Sequence, residues 1–332
     1  MRPFAATDLR RLEYLVVLSV VLFVGAAALL SIFGGEGAAL RQLARVPLAT
    51  IFALLGLALV NYAARAARWL IYSRELGITV GLGRNVLYFI AGFALGTTPG
   101  KVGEALRLWL LERGHGYRYV RVTPLFLGDR LSDMNGVLLL CLFGAASFPG
   151  RLWMAGLAAL AIVGLTLAFF VPGPLLRLVG LIYAAVGRRG RKLFARLRTL
   201  LRHTARLFAA RTYAVTLLLS IAGWCAEAAG FHLLLLAIGA SVTFAQASFI
   251  FAFALVVGAV SMLPGGLGGT EATMLGLLLA LGVEFETALV ATAVIRAATL
   301  WFGVALGFLA LPFALRLARR GAGGALAAEA GR

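Results

Sequence analysis

Acidic side chains are scarce in this chain, and histidine and cysteine are scarcer still. Its 332 residues include 13 acidic residues, three histidines and two cysteines, Cys141 and Cys225. Both cysteines lie in apolar stretches, so the sequence offers neither a disulfide framework nor a cysteine-based metal site. Only 13% of the residues are charged, whereas soluble domains carry about 25%. The composition therefore excludes an ordinary soluble domain.

Apolar and basic residues are abundant instead. Hydrophobic residues make up 62% of the chain and the mean hydropathy is +0.96, which predicts an all-α polytopic membrane protein. The net charge of +18 would suit a nucleic-acid partner, but the basic residues lie between the apolar segments. There they would contact anionic lipid headgroups and set the topology. We therefore expect membrane lipids, and no nucleic acid, as partners.

Six segments are long and apolar enough to be full transmembrane helices. They are 14–33, 48–71, 124–146, 152–171, 213–237 and 287–313. Two further apolar regions, 85–111 and 244–282, are each interrupted by proline and glycine, and most of their halves are too short to cross a bilayer. We expect each of these regions to form a re-entrant hairpin or a discontinuous helix pair.

The two interruptions share a motif. Pro99-Gly100-Lys101-Val102-Gly103-Glu104 recurs, slightly expanded, as Pro264-Gly265-Gly266-Leu267-Gly268-Gly269-Thr270-Glu271. Each copy is followed by an arginine, Arg130 or Arg296, about 25 residues later. Two helix-breaking motifs with a buried acid in corresponding places predict an internally repeated transporter. We place the repeats at about 48–146 and 213–313.

Charge in the loops predicts the orientation of the repeats. Nearly every basic loop lies on one side if both termini are cytoplasmic. Three full crossings then separate the two broken hairpins, so the first enters from the cytoplasm and the second from outside. Inverted hairpins that meet near the midplane would place a binding site between the halves.

The segment 173–212 is the predicted cytoplasmic linker of a single transmembrane domain, 1–320. Its part from 177 to 211 holds ten basic residues and no acidic ones. Leucines at helical spacing suit an amphipathic helix on the anionic inner leaflet, and an ordinary connecting helix with topogenic charge fits equally well. The Gly- and Ala-rich tail, 321–332, is expected to be disordered.

Proline and glycine in each motif would end one half-helix and leave free amides at the start of the next. Those amides and the helix dipole form an anion site suited to a phosphate, where Lys101 would add charge and Thr270 would cap the second half-helix. The residues predicted to bind or gate the substrate are Pro99, Gly100, Lys101, Gly103, Glu104, Arg107, Asp129, Arg130, Asp133, Pro264, Gly265, Gly266, Gly268, Gly269, Thr270, Glu271 and Arg296. The sequence shows no metal-ligand cluster and no nucleophile–histidine pair, so we predict no metal, cofactor or catalytic residue.

Glu104 and Glu271 would repel a phosphate unless each is protonated or paired with an arginine. Arg107, Arg130 and Arg296 are the candidate partners, and Arg296 lies deep in its helix, where an unpaired charge is costly. We favour a role for the two acids in gating or proton coupling over a purely structural ion pair.

Other charged residues leave two interpretations open. Asp129 and Asp133 share a helix face with Arg130 nearby, which suits either a polar lining for headgroups or an interfacial charge cluster. Arg65 and Arg68 could attract a lipid phosphate, but snorkelling to the interface is favoured.

Another pair lies on the fifth predicted crossing, 213–237. Glu227 and His232 are five residues apart on it, and a polar contact between helices is favoured over a proton relay.

Three ordered motifs give the chain a family resemblance. The runs Thr98–Arg107, Asp129–Asp133 and Leu263–Glu271 resemble the lysylphosphatidylglycerol synthase transmembrane-region, or flippase-like domain, family over roughly 13–317. That family includes the membrane half of the bacterial multiple peptide resistance factor, which flips a lipid aminoacylated by a separate cytosolic domain. This chain ends soon after its last helix, so the resemblance implies a standalone member without synthase activity, in a bacterial inner membrane.

The resemblance and the residues together predict a lipid translocase, a transporter and not an enzyme, for a phospholipid or lipid-linked molecule. An integral membrane enzyme acting on lipid headgroups is the first alternative. An accessory subunit of a lipid-modifying enzyme is the second. The Gly92/Gly96 and Gly303/Gly307 spacings leave a homodimer open.

Overall fold

A computed structural model describes residues 38–98, 102–147 and 209–330, with isolated positions between 153 and 207. These residues form helices and connecting turns, with no strand among them. The predicted crossing 14–33 lies outside the described residues, as do most of the crossing 152–171 and of the linker 173–212.

The first half of the described chain holds five helices. They are α1 (Ala38–Ala44), α2 (Leu48–Glu75), α3 (Leu82–Ala91), α4 (Val102–His115) and α5 (Tyr119–Ala145). A 3-10 turn, Gly92–Leu95, continues α3. The helical segment ends at Leu95, and residues 96–98 form a turn before α4.

The second half begins, like α2 to α4, with a long helix followed by two shorter ones. Its helices are α6 (Ala210–Ala237), α7 (Phe244–Val260), α8 (Gly269–Ala280), α9 (Phe285–Arg296) and α10 (Phe302–Ala330). A 3-10 turn, Pro264–Gly266, lies between α7 and α8, and a π turn, Ala297–Trp301, joins α9 to α10. The last helix thus continues through most of 321–332, where the sequence predicted disorder; alanine, the strongest helix former, is frequent there.

One pair of corresponding helices, α2 and α6, matches in length and in how the helices end. Helices α2 and α6 each contain 28 residues. Each ends two residues before a glycine with a positive φ, 64° at Gly77 and 85° at Gly239. Glycine adopts this left-handed conformation without strain and so terminates both helices in the same way.

Helices α2 and α6 pack against each other in antiparallel directions. Gly230 approaches Leu54, Gly223 approaches Asn61 near the middle, and Thr212 donates a hydrogen bond to Glu75 at the other end. Two equivalent helices that pack antiparallel are related by a two-fold rotation about an axis perpendicular to both of them. This is the geometry expected of inverted repeats, although their division at 48–146 and 213–313 stays a prediction.

Two apolar cores lie at opposite ends of the long helices. One contains α7, α8 and α9 with Leu54 of α2 and the C-terminal part of α5. The other contains α3, α4 and α10 with Trp69 and Tyr72 of α2 and the N-terminal part of α5. Each pair of half-length helices therefore packs near a different end of the molecule, with a polar zone between them.

Within the part of the chain that the structure describes, three helices are long and apolar enough to cross a membrane: Leu48–Glu75, Ala210–Ala237 and Phe285–Arg319. They match three of the predicted crossings, 48–71, 213–237 and 287–313. The predicted crossing at 124–146 is a continuous helix, α5, but Asp129, Arg130 and Asp133 lower its hydropathy. The chain therefore has the architecture of a multi-pass membrane protein, and the number of six crossings stays a prediction.

Candidate functional site

The break between α7 and α8 depends on glycine. Gly265 has a φ of 62° and Gly268 a φ of 83°, conformations that side chains with a Cβ rarely adopt. Gly268 occupies the cap position of α8, so the prediction that Thr270 caps this helix was wrong. The Thr270 side chain is buried and instead lies against Gly258 of α7.

Glu271 occupies the start of α8 and is held there from two sides. Its Oε2 accepts a hydrogen bond of 2.7 Å from the Gly268 amide. Its Oε1 accepts one of 2.6 Å from Arg296 Nε, and the same guanidinium donates to the Gly265 carbonyl at 2.9 Å. The expected pairing of Glu271 with Arg296 is present. Because a carboxylate already lies at this helix terminus, an anion site formed by the amides of Gly268 and Gly269 is not available in this conformation.

The two broken regions touch each other. A side chain at Gly265 would come within 3.3 Å of the Thr97 Cα atom, two residues before Pro99. In the first motif, Pro99, Gly100 and Lys101 lie outside the described residues. Gly103 and Glu104 are described only as part of helix α4, without their surroundings. The roles predicted for these five residues stay predictions.

A buried ion-pair network lies between α2 and α5. Arg68 is 0% exposed; its Nε donates to Asp129 Oδ1 at 3.0 Å and its Nη2 to Asp133 Oδ1 at 2.7 Å. Its Nη1 donates to Ser220 of α6. Asp129 and Asp133 are therefore buried partners of Arg68 and not an interfacial charge cluster.

Three more arginines approach the same two carboxylates. Arg65 Nη2 lies 3.1 Å and Arg130 Nη2 2.9 Å from Asp133 Oδ2, and Arg107 Nη1 lies 3.5 Å from Asp129 Oδ2. Among the described residues, four guanidinium groups thus lie around these two aspartates. The prediction that Arg65 and Arg68 snorkel was wrong, because the aspartates of α5 hold both side chains inside the protein.

Arg107 is positioned by the 3-10 turn that ends α3. It is 1% exposed, donates from Nε to the Phe89 carbonyl at 3.0 Å, and lies 4.0 Å from the centre of the Phe89 ring. A side chain at Gly92 would collide with it. Gly92 therefore makes room for Arg107, and Gly303 and Gly307 pack against Tyr62 and Ala94 within the chain.

The charged residues surround a cavity of about 240 Å³ formed by both halves of the chain. Its charged lining residues are Arg65, Arg107, Arg130, Asp133, Glu227 and Arg296. Tyr62, Phe93 and Trp224 supply aromatic walls, and Gly96 and Gly265 bring both broken regions to its edge. Of the predicted site residues, Arg107, Arg130, Asp133, Gly265 and Arg296 line the cavity.

The other predicted residues that the structure describes lie behind this lining. Glu271 forms an ion pair with the lining residue Arg296, and Asp129 lies within ion-pair distance of the lining residues Arg107 and Arg130. Pro264, Gly266, Gly268, Gly269 and Thr270 shape the break and contribute no lining side chain. The motif thus builds the site mainly through its backbone.

Sequence reasoning left several lining residues out of the predicted site. Tyr62, Arg65, Trp224 and Glu227 all line the cavity, yet they lie outside the repeated motifs. Arg65 and Glu227 were noted in the sequence, but other roles were favoured for them. Ionisable residues about midway along long apolar helices are expensive and commonly functional, and this signal could have assigned both to the site. Among the described residues, no group of three or more acidic, histidine or cysteine side chains could hold a metal ion.

The chain is similar to known membrane proteins. Residues 16–307 match the family described as the lysylphosphatidylglycerol synthase TM region. The chain is 27% identical to a UPF0104 membrane protein of Pyrococcus horikoshii, over 73% of this chain and 80% of the relative. A UPF0104 membrane protein of Methanothermobacter thermautotrophicus is 36% identical over 93 residues, which are 28% of each chain.

Proposed function

Because this chain belongs to the family of the lysylphosphatidylglycerol synthase TM region, we propose that it is a lipid translocase. It would move a phospholipid or a lipid-linked molecule between the two leaflets of a membrane. The observation that carries the proposal is the arginine-rich cavity between the two broken helix pairs. The cavity takes an anionic headgroup while the acyl chains remain in the surrounding lipid.

The charge balance of the cavity favours an anionic headgroup. A charge inside a bilayer is costly unless it is paired or faces a polar cavity, and four of the six charged residues that line this cavity are arginines. Arg65 is paired only with Asp133 among the described residues, and its Nε has no hydrogen-bond partner there. A headgroup phosphate would accept charge-assisted hydrogen bonds from the guanidinium of Arg65.

The broken helices supply the moving parts. Helix breaks at membrane depth line substrate sites in transporters, where the two repeats rock against each other around the site. Here the breaks meet at Gly265 and Thr97. Opening this contact on one side and then on the other would expose the cavity alternately to the two leaflets, and a bound headgroup would shift the populations of the two states.

The direct test is lipid movement in proteoliposomes that contain the purified protein and a fluorescent phosphatidylglycerol. The wild type should move the lipid, and Arg65→Gln should slow it at least about tenfold, since a charge-assisted hydrogen bond contributes about 1.5–3 kcal/mol. Arg74→Gln is the matched control, because Arg74 lies on the same helix but is exposed at its end. Melting curves must show that both variants are folded.

Two results would contradict the proposal. One is wild-type protein that moves no lipid above protein-free vesicles; the other is Arg65→Gln that moves it as fast as the wild type. If the headgroup were chemically altered instead, mass spectrometry of the recovered lipid would reveal the product and favour the enzyme alternative.

A further inference from the structure

Glu227 is the buried acid that the ion-pair network leaves out. It lies on α6, is 5% exposed and lines the cavity. Among the described residues it forms no ion pair and no hydrogen bond, whereas Asp129, Asp133 and Glu271 each bind at least one arginine. A buried carboxylate without a direct partner is costly in its charged form.

Charged and titratable groups face Glu227 from three of the helices that pack against α6. Helix α2 presents Tyr62 and Arg65, α5 presents Asp133, and α9 presents Arg296. Helix α7 also packs against α6, and it contributes only apolar residues such as Leu255 and Val256 to the cavity. The charge state of Glu227 therefore depends on how strongly the two arginines are neutralised by other groups.

We propose that Glu227 takes up a proton when an anionic headgroup enters the cavity, so that lipid binding is linked to pH. The inference rests on the proposed function, because it needs a headgroup phosphate beside Arg65 and Arg296. In the empty cavity these arginines favour the charged carboxylate of Glu227. A bound phosphate neutralises them and also repels the carboxylate, so protonation becomes favourable on binding.

The sign of the linkage follows from this exchange. At a pH where Glu227 is ionised in the empty protein and protonated in the complex, each bound lipid brings one proton with it. The dissociation constant then rises about tenfold per unit of pH across that window, and it is independent of pH below it. Each binding event adds one phosphodiester anion and one proton to the cavity, so the net charge of the buried site does not change.

The probe is short-chain phosphatidylglycerol, whose phosphodiester stays ionised between roughly pH 5 and 9. Any proton taken up in this range therefore binds to a protein group. Calorimetric titration of the full-length protein in detergent gives the dissociation constant. Repeating it in buffers of different ionisation enthalpy gives the number of protons taken up. We expect close to one proton per lipid for the wild type. Glu227→Gln should take up none and should bind with a constant that does not vary with pH.

Glu284→Gln is the control, because Glu284 is exposed at the start of α9 and makes no capping hydrogen bond. It should keep the wild-type proton uptake. Wild-type binding without proton uptake, or unchanged uptake by Glu227→Gln, would overturn the inference while leaving anion binding intact. Absence of binding by the wild type at every pH would instead overturn the proposed function. If Glu227→Gln does not fold, the wild-type proton count still decides whether binding is linked to protons.

Discussion

Arg68 is the residue on which the buried network depends most. It is fully buried, and its guanidinium bonds two aspartates of α5 and a serine of α6. It therefore ties three helices of both halves together at one point. Its neighbour Arg65, one turn away, is 14% exposed at the side chain and reaches the cavity. The two arginines share a carboxylate but have different tasks.

Removal of Arg68 should cost far more stability than removal of an exposed arginine. Arg68→Met removes the only one of the network's described arginines that is fully buried and that hydrogen-bonds both Asp129 and Asp133 at 3.0 Å or less, and breaking such buried pairs costs about 3–5 kcal/mol. The change is measurable as a lowered melting temperature in detergent. Arg74→Met on the same helix is the control and should leave the melting temperature almost unchanged. Equal melting temperatures for the two variants would show that the network does not stabilise the fold.

The outcome at these residues shows what a sequence can reveal of the site. The pairing of Glu271 with Arg296 was predictable, because both lie in or shortly after one recognisable motif. The pairing of Arg68 with Asp129 joins residues 61 positions apart, and nothing local distinguishes a paired arginine from one that snorkels. Glu227 was visible as a buried acid, but its place in a cavity depends on the packing of four helices.

Each broken region consists of two short helices. Helix α7 has 17 residues and α8 has 12, and they pack against each other in the same core. Their close approach depends on Gly258, where a side chain would collide with Thr270 Oγ1. This contact aligns the break so that the Gly265 carbonyl accepts from Arg296.

Closing the space at Gly258 should separate the two half-helices. Gly258→Ala forces Thr270 or the backbone of the break to move, and overpacking of this kind costs about 1–3 kcal/mol. Gly276→Ala on α8 has open space around it and should be neutral or slightly stabilising. Thermal unfolding in detergent compares the two. A double variant, Gly258→Ala with Thr270→Ala, should recover part of the loss, and no recovery would mean that the contact is not the cause.

Element boundaries followed from the sequence better than the caps did. The break between α7 and α8 was predictable because a proline and glycine run interrupts an apolar stretch. Helix α6 ends at Ala237, as predicted, whereas α2 continues to Glu75, four residues beyond the predicted end at 71. The cap of α8 was not, since Gly268 and Thr270 both suit that position and only the backbone decides between them. The continuous helix of α5 was predictable by length, although its charges needed partners from α2 that the sequence alone does not show.

The whole molecule is organised around the antiparallel pair of α2 and α6. The α3–α4 pair lies beside the C-terminal part of α2, and the α7–α8 pair lies beside the C-terminal part of α6. Because these two helices run in opposite directions, the broken pairs approach the polar zone from opposite ends. Both contribute to the cavity, which neither half could form alone.

Corresponding loops of the two halves should therefore face opposite sides of the membrane. Gly81 precedes α3 and Ser241 precedes α7, and both are exposed. In a background with Cys141→Ser and Cys225→Ser, Gly81→Cys should react with an impermeant maleimide from one side of a vesicle and Ser241→Cys from the other. Labelling of both cysteines from the same side would contradict the inverted arrangement.

The central claim is that an anionic headgroup binds in the cavity where the two broken regions meet. It is tested most directly with a phosphatidylglycerol that carries a photoreactive group on its headgroup, followed by mass-spectrometric mapping of the adducts. The account predicts adducts on cavity-lining residues of both halves, such as Met134 and Val256, and their loss when unlabelled phosphatidylglycerol is added in excess. Adducts confined to exposed outer residues such as Leu48 and Phe52 would contradict it.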